Sequence, residues 1–162
     1  MTRKTAREIA VELCFAAAAN GSDTAELLDA FFEDGHYATL GAENELFAEK
    51  PDEKQMEYIR TLIALSRDRA GELDAMIERY ARGWKTARIS RTALAILRIA
   101  LCEILYVEDV PPAVAINEAV ELDKNYDDAE TVAFVNGVLG GFMRGEMADK
   151  GAELEREAEA QE

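Results

Sequence analysis

The sequence predicts an all-α protein, a bundle of six or seven helices with an acidic C-terminal tail. Apolar residues recur at helical spacing along most of the chain, and no segment alternates convincingly in the manner of a β-strand. Apolar residues make up 49% of the 162 residues, so the chain can form a core without a disulfide or a metal. We expect one domain over residues 1–145, followed by a tail over residues 146–162 that forms a frayed helix or remains disordered.

The residue pattern of the N-terminal segment predicts two helices and a loop. The first helix runs from Thr5 to about Ala19, because apolar residues recur on one of its faces. These residues are Ala6, Ile9, Ala10, Leu13 and Ala17. A second helix begins after Gly21 and runs to about Phe32. Residues 34–50 contain two glycines and no apolar stripe, which indicates a long loop.

Longer helices are predicted for the rest of the domain. Residues 51–80 form a helix of about eight turns that starts at a proline and ends before Gly83. Residues 90–106 and 111–125 form two further helices, and the second of these begins at a proline pair. A last helix over residues 129–143 contains three glycines, which permit close contact with neighbouring helices.

The formal net charge of −15 is unevenly distributed along the chain. Residues 20–53 carry a net −9 and residues 146–162 a net −5, so the rest of the chain is close to neutral. The stretch from Arg79 to Arg98 contains six basic residues, no acidic residue and Trp84. Such a stretch is either a solvated connector whose arginines neutralise nearby acids or an anion-binding face. The negative total therefore does not exclude a nucleic-acid partner.

The sequence contains no set of residues typical of an enzyme or a metal site. His36 is the only histidine, and no glycine-rich phosphate-binding loop is present. Cys14 and Cys102 lie far apart in the sequence and form no CxxC pair. Cysteines of this kind are typically small core residues of a protein in a reducing compartment. No apolar run approaches the length of a membrane span, and no secretory signal is found. We therefore expect a cytoplasmic, non-enzymatic protein that binds no metal or cofactor.

The first helix combines basic residues with an aromatic residue, away from its apolar stripe. At 100° per residue, four such side chains fall within an arc of about 120°. They are Arg3, Lys4, Arg7 and Phe15. Cations that bind phosphates and an aromatic platform that stacks on an unpaired base are what single-stranded RNA recognition requires. Alternatively, Phe15 packs against another part of the bundle while the cations remain solvated.

Five features follow one another along the chain in a distinctive order. They are Arg3, Lys4, Ala6, Arg7, Glu8 and Ala10 in the first helix, the Trp84-Lys85 pair, ILRIAL at 96–101, VAINEAVEL at 114–122 and FVNGVL at 134–139. With these features the chain resembles the family of the bacterial transcription antitermination protein NusB. The resemblance covers about residues 1–145 and leaves the acidic tail outside it.

The resemblance implies an all-helical fold and a role without catalysis. Members of this family bind the boxA element of ribosomal RNA leader transcripts together with a ribosomal protein, S-ten, which is called NusE in this role. The complex joins RNA polymerase and suppresses termination. The resemblance therefore implies three partners for this chain, which are boxA RNA, NusE and the antitermination complex on RNA polymerase.

The resemblance also implies which residues form the binding sites. The residues matched to RNA-binding positions are Arg3, Lys4, Arg7, Phe15 and Phe134. The three cations would contact phosphates, and Phe134 would lie at the surface beside the RNA. Phe15 occupies a position that is usually tyrosine, and it retains the stacking face without the hydroxyl. Glu130 matches an acidic position in the C-terminal part that contacts NusE.

The chain departs from the family pattern at several charged positions. The third arginine of the first helix is Thr5 here, and a glutamine position is Glu12, so the predicted RNA face loses positive charge. Asp123 and Asp127 replace small residues, and Ala133 replaces a frequent basic residue. These departures predict weak RNA binding by the isolated protein.

The sequence supports three functional hypotheses. The first is an RNA-binding antitermination factor that works as a heterodimer with NusE. The second is a NusB-like interaction module that keeps the NusE contact and has little intrinsic RNA binding. The third is enzymatic, because similar helical domains precede the catalytic domain of certain ribosomal RNA cytosine methyltransferases. We expect the third least, since 162 residues leave no room for a methyl-donor-binding domain. A monomer and a homodimer are both compatible with the sequence.

Overall fold

The structure is a computed structural model that describes residues 1–20, 23–82 and 89–147, without the side chains of residues 19, 20 and 147. Within these ranges the chain forms eight α-helices and no β-strand, which confirms the all-α prediction. The helices are α1 (Arg3–Asn20), α2 (Thr24–Phe31), α3 (Asp34–Glu43), α4 (Glu53–Asp68), α5 (Ala70–Tyr80), α6 (Arg91–Tyr106), α7 (Pro112–Asp123) and α8 (Ala129–Phe142). A 3-10 turn at Glu45–Phe47 precedes α4, and a π-helical turn at Met143–Met147 follows α8.

Helix α3 lies in the segment that the sequence predicts as a loop. The carboxylate of Glu33, just before the helix, accepts hydrogen bonds from the backbone N–H groups of Gly35 and His36 at 3.0 and 2.9 Å. Tyr37 is buried on this helix against three phenylalanine rings. An N-terminal cap and a buried aromatic cluster thus stabilise a helix that has no apolar stripe. The loop prediction is wrong for residues 34–43.

The single long helix predicted for residues 51–80 is two helices, α4 and α5. The carboxylate of Asp52 accepts a hydrogen bond from the backbone N–H of Gln55, whose side chain accepts one from the backbone N–H of Asp52, both at 2.9 Å. This capping box fixes the start of α4. At Arg69 the backbone leaves the helical conformation, with φ −106° and ψ 14°. The break allows α5 to pack against both α6 and α8.

Helix α6 forms the centre of the described structure. Ten of its sixteen residues are buried. Helices α1 and α4 pack on it from the N-terminal half, and α5, α7 and α8 pack on it from the C-terminal half. A helix that is buried on nearly all sides is apolar nearly all round, as residues 96–101 are. The two helices that carry the predicted site residues, α1 and α8, are therefore held by the same central helix.

Both cysteines are buried free thiols, as the sequence predicts. Burial raises the pKa of the Cys14 thiol above its ordinary value, and burial raises the pKa of Cys102 to about 12. Cys14 donates a hydrogen bond to Ser66 Oγ at 3.6 Å. The two thiols therefore stay protonated near neutral pH and act as small core side chains.

Two parts of the sequence prediction lie outside the described residues. They are the part of the connector with Trp84, Lys85 and Arg88, and the tail from residue 148 onward. Among the residues that are described, none of the helices combines the length and the apolar composition needed to cross a membrane.

Candidate nucleic-acid interface

The face of α1 that reaches solvent differs from the one that the helical spacing predicts. We call it the α1 face, and it consists of Lys4, Glu8, Glu12 and Phe15, which are exposed or half-buried. Arg7 and Val11, which the spacing places beside Phe15, are only 5% and 4% exposed. Three residues of α7 line the same small cavity as Arg7 and Val11. Four residues of α6 line this cavity as well, so α6 and α7 together cover a side of α1 that is solvent-facing in the isolated helix.

Arg7 forms a buried ion pair. Its Nε and Nη2 donate hydrogen bonds to the two carboxylate oxygens of Glu103 on α6, the second at 2.9 Å. Its Nη1 lies 3.9 Å from Oε2 of Glu118 on α7. Burial lowers the pKa of Arg7, but the hydrogen bond to Glu103 and the attraction of the nearby acidic groups together raise that pKa by more, so the guanidinium stays charged. Arg7 thus connects three helices, and the prediction that it projects from the surface toward RNA phosphates is wrong.

Arg3 and Lys4 lie at the surface, as predicted. The Arg3 side chain is 43% exposed, and its Nη2 donates a hydrogen bond to Oδ2 of Asp109, between α6 and α7, at 2.9 Å. Its guanidinium also lies 4.4 Å from the centre of the Tyr58 ring. Lys4 is exposed and forms no ion pair with any described residue. A phosphate would therefore compete with Asp109 for Arg3, whereas Lys4 has, among the described residues, only a longer-range attraction to the Glu121 carboxylate.

Phe15 is 39% exposed, so its ring is accessible as a stacking platform. One more aromatic residue belongs to this surface, Tyr126 in the turn between α7 and α8, which is 41% exposed. Its hydroxyl lies 2.8 Å from Oε1 of Glu8 and 3.0 Å from Oε1 of Glu12. Burial and then the hydrogen bond to Glu8 raise the pKa of Tyr126, so the hydroxyl keeps its proton.

Glu130 and Phe134 lie on α8, beside a cleft of about 700 Å³ between α5 and α8. Glu130 is exposed, as a partner contact requires. Phe134 is only 6% exposed, because it belongs to the core between α8 and its neighbours, and it forms part of the cleft wall. The predicted surface position of Phe134 is thereby corrected to a buried one. Arg82 and Arg144 also line the cleft.

Two arginines of the basic stretch are neutralised by acidic partners. Arg98 donates two hydrogen bonds to the carboxylate of Asp74, at 2.8 and 2.7 Å. Arg79 pairs with Glu146, which also accepts a hydrogen bond from the Tyr80 hydroxyl at 3.1 Å. For these two arginines the structure favours the first interpretation, a connector whose arginines neutralise nearby acids. It does not favour an anion-binding face.

Asp123, the last residue of α7, is fully buried. Neither of its carboxylate oxygens has a hydrogen-bond partner among the described residues. Burial, and then the neighbouring Asp127 and Asp128, raise the pKa of Asp123 to about 8. Asp127 itself accepts a hydrogen bond at 3.1 Å from Ser90, the residue that caps α6. The carboxyl of Asp123 is therefore mostly protonated near neutral pH.

Comparison with known proteins gives consistent matches along most of the chain. The model of the NusB family matches residues 4–144. Transcription antitermination protein NusB of Symbiobacterium thermophilum is 35% identical over 153 residues, which cover 94% of this chain and 96% of that protein. Transcription antitermination protein NusB of Alkaliphilus oremlandii is 36% identical over 146 residues, which cover 90% of this chain and 96% of that protein.

Solved structures share the helical arrangement. NusB of T. maritima matches with a TM-score of 0.72 and 25% sequence identity, over 90% of this chain and 92% of that chain. A crystal structure of the antitermination factors NusB and NusE in complex with dsRNA matches with a TM-score of 0.67 and 22% identity, over 88% of this chain and 96% of that chain. The second match concerns the fold alone, and it agrees with the first.

Proposed function

The chain belongs to the NusB family, and from this premise we propose that it is a transcription antitermination factor that binds boxA RNA of ribosomal RNA leader transcripts together with ribosomal protein S-ten (NusE). The observation that carries the proposal is the family match over residues 4–144. Two relatives more than a third identical to the chain bear the name transcription antitermination protein NusB. The NusB of one solved structure is in complex with NusE and dsRNA.

On the RNA side, the proposal assigns distinct tasks to three residues of α1. Arg3 and Lys4 are surface cations near the start of the helix and bind phosphates. Phe15 lies about three turns further along and presents an open ring on which an unpaired base stacks. Arg7 contributes indirectly, because its ion pair with Glu103 holds α1 against α6.

On the protein side, we assign Glu130 to the contact with NusE. Its carboxylate is exposed on α8, where it can pair with a cationic group of a partner. The complex of this chain, NusE and RNA then joins the antitermination complex on RNA polymerase, so the protein acts in the cytoplasm, where bacterial transcription takes place. It acts by binding and carries out no catalytic step.

One observation favours the second candidate function, a NusB-like interaction module with little intrinsic RNA binding. The α1 face contains two carboxylates, Glu8 and Glu12, against the one cation Lys4, and the nearby surface cation Arg3 is already paired with an acidic residue. The carboxylates repel phosphates at short range and reduce the attraction that Lys4 provides. Under this alternative the chain still binds NusE, but the complex gains its RNA affinity from NusE.

A salt titration of boxA RNA binding, with and without NusE, distinguishes the two functions. For single strands, the slope of log affinity against log salt changes by about 0.7 for each neutralised phosphate. If Arg3 and Lys4 each neutralise one phosphate, the double variant R3A/K4A flattens the slope by about 1.4. The matched control is R60A/R67A, which removes two exposed cations from α4 and leaves the slope unchanged.

The possible results of this titration distinguish the two functions. Equal slopes for wild type and R3A/K4A would remove these two residues from the RNA site. If wild type alone shows no RNA binding, and the complex with NusE binds RNA no better than NusE alone, the interaction module is the correct function.

A further inference from the structure

Two carboxylates share one hydrogen-bond donor on the α1 face. The hydroxyl of Tyr126 lies within 3.0 Å of oxygens from both Glu8 and Glu12. A hydroxyl carries a single hydrogen, so it can donate to only one of them at a time. The distance to Glu8 is the shorter, at 2.8 Å. Glu12 is therefore the carboxylate that is more often without a donor.

No cation compensates this carboxylate within the described part of the chain. Neither Glu8 nor Glu12 forms an ion pair with a described residue, although both are half-buried. On a surface that binds RNA, an uncompensated carboxylate is unfavourable unless the RNA supplies hydrogen-bond donors. The donors in RNA that can reach such a group are the N–H groups of bases and the 2′-hydroxyls.

Glu12 lies one turn before Phe15, so its carboxylate is next to the proposed stacking platform. Residues three apart on a helix have Cβ atoms about 5–6 Å apart. An unpaired base that stacks on the Phe15 ring therefore extends its hydrogen-bonding edge into the neighbourhood of Glu12. One oxygen of the Glu12 carboxylate lies 3.0 Å from the Tyr126 hydroxyl, which places this carboxylate on the α1 face.

We propose that Glu12 reads the Watson–Crick edge of a guanine whose ring stacks on Phe15. This inference rests on the proposed RNA-binding function and adds a base preference to it. A carboxylate only accepts hydrogen bonds. Guanine offers two adjacent donors, N1–H and the N2 amino group, which match the two carboxylate oxygens. In adenine, cytosine and uracil, each donor on this edge has an acceptor beside it that a carboxylate repels.

The test compares boxA RNA with versions in which each guanine is replaced in turn by inosine, which lacks only the N2 amino group. Binding is measured in the presence of NusE for wild type, E12A and E8A. For wild type we expect one position at which inosine lowers the affinity about tenfold, because a hydrogen bond to a charged group is lost. At that position E12A binds guanine and inosine RNA equally, whereas E8A keeps the wild-type ratio.

E8A is the matched control, because Glu8 lies on the same face as Glu12 and its carboxylate contacts the same Tyr126 hydroxyl. If both variants raise the affinity for all RNAs equally and keep the guanine-to-inosine ratio, Glu12 only repels RNA and the inference is overturned. Equal binding of guanine and inosine RNAs by wild type overturns it as well, while the proposed function stands. Absence of RNA binding by wild type with NusE overturns the proposed function itself.

Discussion

The guanidinium of Arg3 is already engaged by two groups of the protein, the carboxylate of Asp109 and the ring of Tyr58. Phosphate must displace the carboxylate, so Asp109 weakens the proposed RNA contact. We predict that D109N raises the affinity for boxA RNA by up to about fivefold at low salt, which is the scale of an exposed ion pair. A fluorescence anisotropy titration at two salt concentrations measures this.

The neighbouring residue provides the control for D109N. Glu108 is exposed and forms no ion pair with any described residue, so E108Q changes the net charge equally and leaves Arg3 unaffected. Equal gains in affinity for D109N and E108Q would show that total charge, and not competition for Arg3, limits binding.

The buried carboxyl of Asp123 makes stability depend on pH. Its pKa rises from 3.8 to about 8 on folding, so the folded protein holds this proton more tightly than the unfolded chain does. The resulting stabilisation is complete below about pH 4 and is lost as the pH rises to about 8. The titration of Asp123 lowers the free energy of unfolding by at most about 1.4 kcal/mol for each pH unit in that window.

We predict that D123N removes this dependence, because an amide does not titrate. Urea unfolding at about pH 5 and about pH 8 measures the difference, with D68N, an exposed change on α4, as the control. D68N should keep the wild-type loss of stability between the two pH values. The prediction fails if D123N shows the same loss as wild type.

At the residue scale, sequence spacing predicts what depends on α1 alone. The exposure of Lys4 and Phe15 follows from the geometry of one helix, and the structure agrees. Asp109 and Tyr126 come to the same surface from turns that are more than 100 residues away in the chain. No spacing rule connects residues so far apart, so these contacts required the fold.

At the scale of elements, the ion pair of Arg7 with Glu103 links α1 to the central helix α6. We predict that R7A lowers the free energy of unfolding by about 3–5 kcal/mol, because it leaves the buried Glu103 carboxylate without its cationic partner. The double variant R7M/E103L, which replaces the pair with apolar side chains, recovers most of this loss. Denaturant unfolding measures both.

Lys4 serves as the control, because it is exposed on the same helix. K4A should change the free energy of unfolding by less than about 0.5 kcal/mol. A loss of similar size in R7A and K4A would contradict the structural role of Arg7.

The sequence predicted the helices well where an apolar stripe was present. It missed α3, because this helix is stabilised by the Glu33 cap and by aromatic contacts with residues outside it. It joined α4 to α5, because the stripe continues through Arg69 while the backbone turns there. It predicted an exposed Arg7, because the side of α1 that α6 and α7 cover can be known only when all three helices are in place. Local periodicity therefore predicts elements better than it predicts their junctions.

At the scale of the whole molecule, negative charge limits the attraction to any RNA. Residues 148–162 carry a net −4, and their removal leaves intact the contacts of Glu146 with Arg79 and Tyr80. We predict that deleting residues 148–162 raises the affinity for scrambled RNA about twofold or more at low salt, and raises that for boxA RNA by a smaller factor. Parallel titrations with the two RNAs measure the change.

High salt provides the control for this deletion. Screening shortens the range of electrostatic interactions to about 3 Å at 1 M salt, so the full and shortened chains should then bind alike. A difference that persists at high salt would point to direct contacts of residues 148–162 in place of a long-range charge effect.

The burial of Arg7 has a consequence for genetic screens. Under the proposed RNA-binding roles of Lys4 and Phe15, a screen for cells defective in antitermination would recover substitutions at these two positions together with those at Arg7. Protein abundance separates them, because proteases remove chains that unfold more often. Cells with Arg7 substitutions would contain less of the protein, whereas cells with Lys4 or Phe15 substitutions would contain normal amounts of a protein that fails to bind RNA.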